Sequence, residues 1–296
     1  MASQRTILIT GCSDHSLGAA LALAFHKAGW RVFASARNLD KMKSSKESGI
    51  TIVQLDVLSD ESVASCVAHI KGLTGGSLDA LVNNAGAGYC MPLLDIDINK
   101  ARELFDLNVF SILRVTRAFL PLLLESKHGG LVINHTSTVS MTASSVPWQG
   151  AYNASKAAAT SITENLRLEL SPFNIRVINM LTGAVKSTFF DNAPAAKLPP
   201  NSRYYVAKEE IETAMAGGDA AANGIDSVTW ANSVVKDIDQ RNPPLWIWRG
   251  RYATQVRLAS LLPVGTLDST IKGLSKLDIV ERKIKDQGGV GASNSD

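Results

Sequence analysis

Thr6-Ile7-Leu8-Ile9-Thr10-Gly11-Cys12-Ser13-Asp14-His15-Ser16-Leu17-Gly18 begins as a short apolar run, passes through a turn of small and polar residues, and enters an apolar helical pattern that continues to Ala28. The run lacks polar alternation, as expected of a strand buried on both faces. Glycine in such a turn lets the backbone approach a pyrophosphate, and the N–H groups opening the next helix meet its charge. The stretch therefore predicts strand, phosphate loop and helix, with Gly11, Ser13, Ser16, Leu17 and Gly18 around a dinucleotide.

Working outward, the same rhythm repeats. Arg31 to Ser35, Thr51 to Leu55, Leu78 to Asn83, Gly130 to Ser137 and Ile175 to Met180 read as strands, and helical patterns run from about Lys100 to Leu124 and Ala151 to Leu170. Connections too long for hairpins predict an α/β fold, a doubly wound parallel sheet with helices on both faces. No repeat or linker interrupts residues 1–186, and residues 1–286 read as a single catalytic domain.

Beyond Ser187 come Phe189 and Phe190, an irregular stretch from Asn192 to Arg203 and a helical segment near Glu209 to Ala216; residues 188–225 are expected to form a C-terminal substrate lid. Its aromatics Phe189, Phe190, Tyr204 and Tyr205 suit either an apolar substrate or packing of the lid on the core. A helix near Ser227 to Gln240 and an edge strand at Leu245 to Trp248 follow, and the Gly- and Ser-rich tail 287–296 reads as disordered. Val256 to Val264, apolar with Arg249, Arg251 and Arg257 nearby, suits either peripheral contact with a membrane or lipid droplet or packing on the protein.

The chain has 296 residues, 45% of them hydrophobic, enough for a sizeable core. A formal charge of +3 spread without blocks argues against nucleic acid as a partner. Cys12, Cys66 and Cys90 show no pairing pattern and no histidine pair has ligand spacing, so no metal and a reducing compartment are expected. A strand begins within five residues of Met1, and no run reaches the ~18 apolar residues of a spanning helix, which points to a cytoplasmic protein.

Tyr152 and Lys156 stand four apart at the start of a helical pattern, on one helix face. A phenol titrates near pH ~10, and a neighbouring ammonium pulls that value down, so the tyrosine can exchange a proton with a substrate.

Thr10/Gly11/Gly18, Asn83-Asn84-Ala85-Gly86, Asn108, the serines after Val132-Ile133-Asn134 and Tyr152/Lys156 occur in the order found in short-chain dehydrogenases/reductases, and the chain resembles that family over about residues 5–190. The resemblance implies a Rossmann-like fold and a reductase in which Tyr152 gives the proton. Lys156 lowers its pKa and holds the nicotinamide ribose, while Asn108 holds a water that relays protons to the lysine. It further implies Asn83, Ala85 and Gly86 at the cofactor, Asp56 and Val57 along the adenine, and Gly183, Val185 and Ser187 around the nicotinamide. In that last segment Thr182 stands for the family's proline and Ser187 for its threonine.

The phosphate loop is one residue longer than the family pattern, with Ser16 for its middle glycine and His15 before it; the Ser16 hydroxyl could donate to the phosphate. The family's serine precedes the tyrosine by about thirteen residues, where Val139 stands here. Ser137, at the strand end, is preferred to Ser140, with Thr138 a weaker candidate. At the end of the second strand Ala36 replaces the acid that would bind a ribose 2′-hydroxyl, and Arg37 suits a 2′-phosphate, so NADP(H) is the expected cofactor.

Residues 147–156 and Thr182-Gly183 further resemble fungal reductases related to acyl-dihydroxyacetone-phosphate reductase and ketone reductases of secondary metabolism. The expected activity is NADPH-dependent reduction of a ketone on an apolar carbonyl compound by a homo-oligomer. The alternative is an NADP-binding protein with a regulatory role or a non-redox cyclisation or elimination.

Overall fold

Seven parallel strands form one sheet in the computed structural model, which describes residues 4–189, 197–217 and 222–287. They are β1 (Thr6–Ile9), β2 (Arg31–Ala36), β3 (Thr51–Gln54), β4 (Ala80–Asn83), β5 (Leu131–Ser137), β6 (Arg176–Thr182) and β7 (Trp246–Arg249), in the order β3-β2-β1-β4-β5-β6-β7. Strand order reverses beside β1, which pairs with both β2 and β4. Such a reversal opens a crevice at the carboxyl ends of the strands.

Side-chain parity divides the interior. Ile7 and Ile9 of β1, Ala80 and Val82 of β4 and Ile178 and Met180 of β6 face one core with α1 (Leu17–Lys27) and the helix Ser227–Ile238, where Trp230 is fully buried. Leu8, Leu81 and Val177 point the other way. There they meet α3 (Asp60–Thr74) and α5 (Ser111–Leu124), flanked by α6 (Gly150–Glu169). Both faces are covered, hence the unbroken apolar strands.

Helices Lys43–Glu47 (α2), Asp60–Thr74, Asp268–Leu274 and Leu277–Asp286 add to those read from sequence. Contrary to expectation, the helical stretch Ile98–Leu124, 27 residues, is long and apolar enough to cross a bilayer; half of its apolar window is buried inside the fold. It comprises α4 (Ile98–Phe105), a wider π turn at Asp106–Phe110, and α5. The tail, apart from Gln287, lies outside the described residues, as does Phe190 with the lid positions 191–196 and 218–221.

Candidate active site

One cleft of about 1680 Å³ runs along the carboxyl ends of the strands. At its first end Gly11, with φ of +73°, packs so that an added Cβ would lie 2.9 Å from Ala85 Cα, and a Cβ on Gly18 would lie 2.4 Å from Gly11 O. Gly18 does not line the cleft; its lack of a side chain lets α1 begin against the loop. Ser16 caps α1, accepting from Ala19 N (3.1 Å) and donating to Gly11 O (3.1 Å). Its hydroxyl is thus engaged within the loop rather than free for a phosphate.

The extra loop residue is absorbed by His15 at φ of +63° and by Asp14, which accepts from Lys43 N (2.9 Å) and Ser44 N (3.0 Å). Burial opposes the Asp14 charge, but these bonds and that from the Ser44 hydroxyl hold its carboxyl below the usual range. The loop is thereby tied to the start of α2.

Next along the cleft come Ser13, Leu17, Arg37, Lys41, Lys43, Asp56 and Val57, the cations at the expected place of a 2′-phosphate. Ala85 and Gly86 also line it. Asn83 corrects the expectation. Parity turns its side chain into the second core, where it donates to Thr116 Oγ1 (3.0 Å) and Asn134 Oδ1 (2.8 Å), and Asn84 lines the cleft instead. Asn84 Nδ2 donates to Thr10 O (2.7 Å) and Gly11 O (3.2 Å). This glycine cradle and cation cluster fit a phosphorylated dinucleotide.

Tyr152, Lys156 and Ser137 meet at mid-cleft, with Gly183, Val185 and Ser187 beside them. Ser137 lines the cleft with Tyr152 and its hydroxyl acts to lower the phenol's pKa, whereas the buried Ser140 hydroxyl has no hydrogen-bond partner and does not line the cleft. Two short helical turns, Thr138–Ser140 and Thr142–Ser144, absorb the longer serine-to-tyrosine spacing.

Burial pushes the Tyr152 phenol up to about 12, with the Ser137 hydrogen bond acting against it and Cys90 adding a smaller upward push. The expected lowered pKa is thus not reached in this arrangement, because burial outweighs what favours the phenolate. The ammonium lies 5.9 Å from the tyrosine ring centroid and donates to His135 O at 2.9 Å. Tyr152 stays protonated at neutral pH, the form needed to give a proton.

Asn108 lies behind the cleft at the π turn. Its amide accepts from Ala87 N and donates to Ala87 O and Ser155 Oγ, each at 3.0 Å. Wide turns of this kind often mark functional sites because they displace a residue from the regular helix ladder. Here Asn108 clamps α6 one residue before Lys156.

The far end is apolar. Trp148, Met215, Val256, Leu258, Ile271 and Leu274 line it, so the segment expected to contact a membrane or pack on the protein walls the cleft, although Leu258 and Leu274 remain largely exposed. Phe189 reaches it and lies 5.4 Å from the Tyr152 ring, accommodated by Gly88, where a Cβ would meet the Phe189 ring at 2.8 Å. Tyr204 packs on Trp148 and Tyr205 lies near Lys208; neither lines the cleft. Sequence reasoning missed Asn84, His135, Trp148 and Ser155, although each stood inside a stretch read for other residues.

Burial lowers the Lys156 ammonium to about 8 from 10.5. The unfolded chain then binds more protons between those values, so the buried charge destabilises the fold fully below about 8 and stability recovers as pH rises to 10.5. Lys156→Met should raise the ligand-free chain's stability at pH 7 by about 1–3 kcal/mol, and thermal melts should show that gain shrinking toward pH 10.

A family model for short chain dehydrogenases matches residues 5–197. A short-chain dehydrogenase/reductase of Pestalotiopsis microspora is 43% identical over 288 residues, covering 96% of this chain and 99% of that one. An NADPH-dependent 1-acyldihydroxyacetone phosphate reductase of Schizosaccharomyces pombe is 31% identical over 94% of this chain and 96% of its own. Among solved structures, a short-chain dehydrogenase from Streptomyces avermitilis superposes with a TM-score of 0.74 at 29% identity, covering 95% of this chain and 98% of that one. One from Burkholderia cenocepacia, in complex with NADP, gives 0.70 at 25% identity over 91% and 98%. With its parallel sheet, glycine cradle and Tyr152/Lys156 pair, the chain belongs to the short-chain dehydrogenase/reductase family of oxidoreductases.

Proposed function

We propose that the protein is an NADP(H)-dependent reductase of an uncharged, apolar ketone. One observation carries the reading: Tyr152, Ser137 and Lys156 converge midway along a cleft with a cationic end at Arg37, Lys41 and Lys43 and an apolar end at Trp148, Val256 and Ile271. NADPH, when bound, supplies the hydride. The Ser137 hydroxyl, turning from Thr182 O to the substrate, holds the carbonyl oxygen, and Tyr152 gives it a proton as negative charge develops there. The Lys156 charge favours the tyrosinate left behind, which is reprotonated from water. Ser137's position at the phenol supports this over a non-redox or purely regulatory role.

The relative from Schizosaccharomyces pombe is named for a phosphorylated substrate. Binding such a group calls for a cationic cluster. Arg251 is the only charged side chain lining the apolar end among the described residues. Residues 190–196 and 218–221 contain no Lys or Arg. That lining favours a neutral ketone.

In this reading residues 1–286 work as one domain, with residues 188–225 as the substrate lid. The chain acts in the cytosol as a homo-oligomer joined through its long helices, where Phe110 and Leu168 are exposed. Leu261 and Val264 form an exposed apolar rim by the cleft, suited to peripheral contact with a lipid surface.

The test is NADPH oxidation with a panel of neutral bicyclic and long-chain ketones alongside 1-acyldihydroxyacetone phosphate. Turnover of neutral ketones is expected; preference for the phosphate ester would overturn the substrate assignment. NADPH should bind at least about tenfold tighter than NADH, and Arg37→Ala should remove most of that margin. A wild-type preference for NADH would sink the cofactor assignment.

A further inference from the structure

His135 adds a side-chain bridge across the carboxyl ends of strands that backbone ladders already pair, just where β1 and β4 leave the ladder for the cleft. Parity on β5 places it on the same face as Ile133, stacked on Trp230 with ring centroids 5.5 Å apart. Its Nδ1 lies 2.8 Å from Asn84 Oδ1 and its Nε2 lies 2.8 Å from Thr182 Oγ1. Asn84 uses its amide hydrogens on Thr10 O and Gly11 O, so its oxygen must accept from His135 Nδ1–H. Nε2 is then the acceptor, and the Thr182 hydroxyl donates to it.

Side chains thus link the ends of four strands: β1 through Thr10 and Gly11, β4 through Asn84, β5 through His135, and β6 through Thr182. Ser137 donates to Thr182 O (3.2 Å), and Lys156 to His135 O (2.9 Å), so two residues of the chemical site hang on the same chain. Burial and the Lys156 charge lower the imidazole to about 3, which keeps it neutral and its donor pattern fixed at physiological pH.

We propose that His135 is a positioning residue that fixes the distance between the phosphate loop at Gly11 and the segment opening at Thr182, holding the two halves of the cofactor bed in register. The NADPH reading supplies the ligand for this role, while the hydrogen-bond chain itself belongs to the ligand-free protein.

Thr182→Val removes the hydroxyl at nearly constant volume, and His135→Leu removes both bonds. Each should weaken NADPH binding by about tenfold while adenosine 2′,5′-bisphosphate, which reaches only the first half of the bed, binds within about twofold of wild type. The double variant should be no worse than His135→Leu, because both substitutions break one link. In the ligand-free chain, backbone amides from Gly183 to Val185 should exchange faster with solvent in Thr182→Val, and nitrogen NMR should show His135 as the neutral Nδ1–H tautomer.

Equal weakening of both ligands, additive losses, unchanged exchange or an Nε2–H tautomer would each overturn the proposal. Should wild type bind neither ligand, the NADPH reading fails, and the tautomer and exchange measurements still decide the role of His135.

Discussion

Tyr152→Phe should lower ketone reduction by about 10²- to 10⁴-fold, the usual contribution of a positioned proton donor, while NADPH affinity stays within about twofold. Phenylalanine keeps the ring that packs with Leu104, Ala151 and Phe189, so the fold and the apolar wall should survive. On the proposed reading, what disappears is the proton for the oxygen as hydride reaches the carbon. Because burial already holds the phenol near 12, wild type should remain a competent donor across neutral pH. In the direction of alcohol oxidation the same pKa works against it, since the phenolate is then required, and that rate should climb with pH. Stopped-flow single turnovers at fixed NADPH separate the chemical step from binding; retained turnover in Tyr152→Phe would remove this residue from its role. A parallel loss of NADPH affinity would instead identify it as part of the cofactor bed alone.

The elements that sequence makes legible are those whose signal is local. Apolar runs without alternation and a glycine turn mark β1 and its loop, and spacing of four places Tyr152 and Lys156 on one face of α6. The place of Ser137 at the end of β5 was legible from the strand pattern, and the two following turns take up the extra residues before α6.

What stayed hidden depends on orientation or on distant partners. Two adjacent asparagines look alike in sequence, but the first is the last residue of β4 and parity buries it, while the second leaves the strand and reaches the cleft. The Tyr152 pKa follows the solvent it loses and the carbonyl that claims Lys156, neither visible in a four-residue spacing. An apolar stripe at Val256 also does not announce its partner. Only the docked segment makes it a wall of the cleft, with the helices of residues 268–286 pinned where Ser275 O accepts from Trp148 Nε1 at 2.8 Å.

Gly18→Ala should cost about 1–3 kcal/mol of stability, the range for overpacking a filled site, and should weaken NADPH and adenosine 2′,5′-bisphosphate together by tenfold or more. The new Cβ would lie 2.4 Å from Gly11 O and 2.5 Å from Asn84 Nδ2. Neither neighbour can retreat cheaply: Gly11 O accepts from both Ser16 Oγ and Asn84 Nδ2, and that amide also holds Thr10 O. Relief therefore requires α1 to move off the loop, taking with it the N–H groups that face a phosphate. Gly72→Ala supplies the contrast, since nothing lies within 4 Å of a Cβ there and the residue sits inside α3. It should be neutral or stabilise by up to about 1 kcal/mol through helix propensity. Thermal melts and titration calorimetry on both variants decide the matter. If Gly18→Ala binds the bisphosphate like wild type, the approach of α1 to the loop does not set the phosphate site, and the clash is absorbed elsewhere.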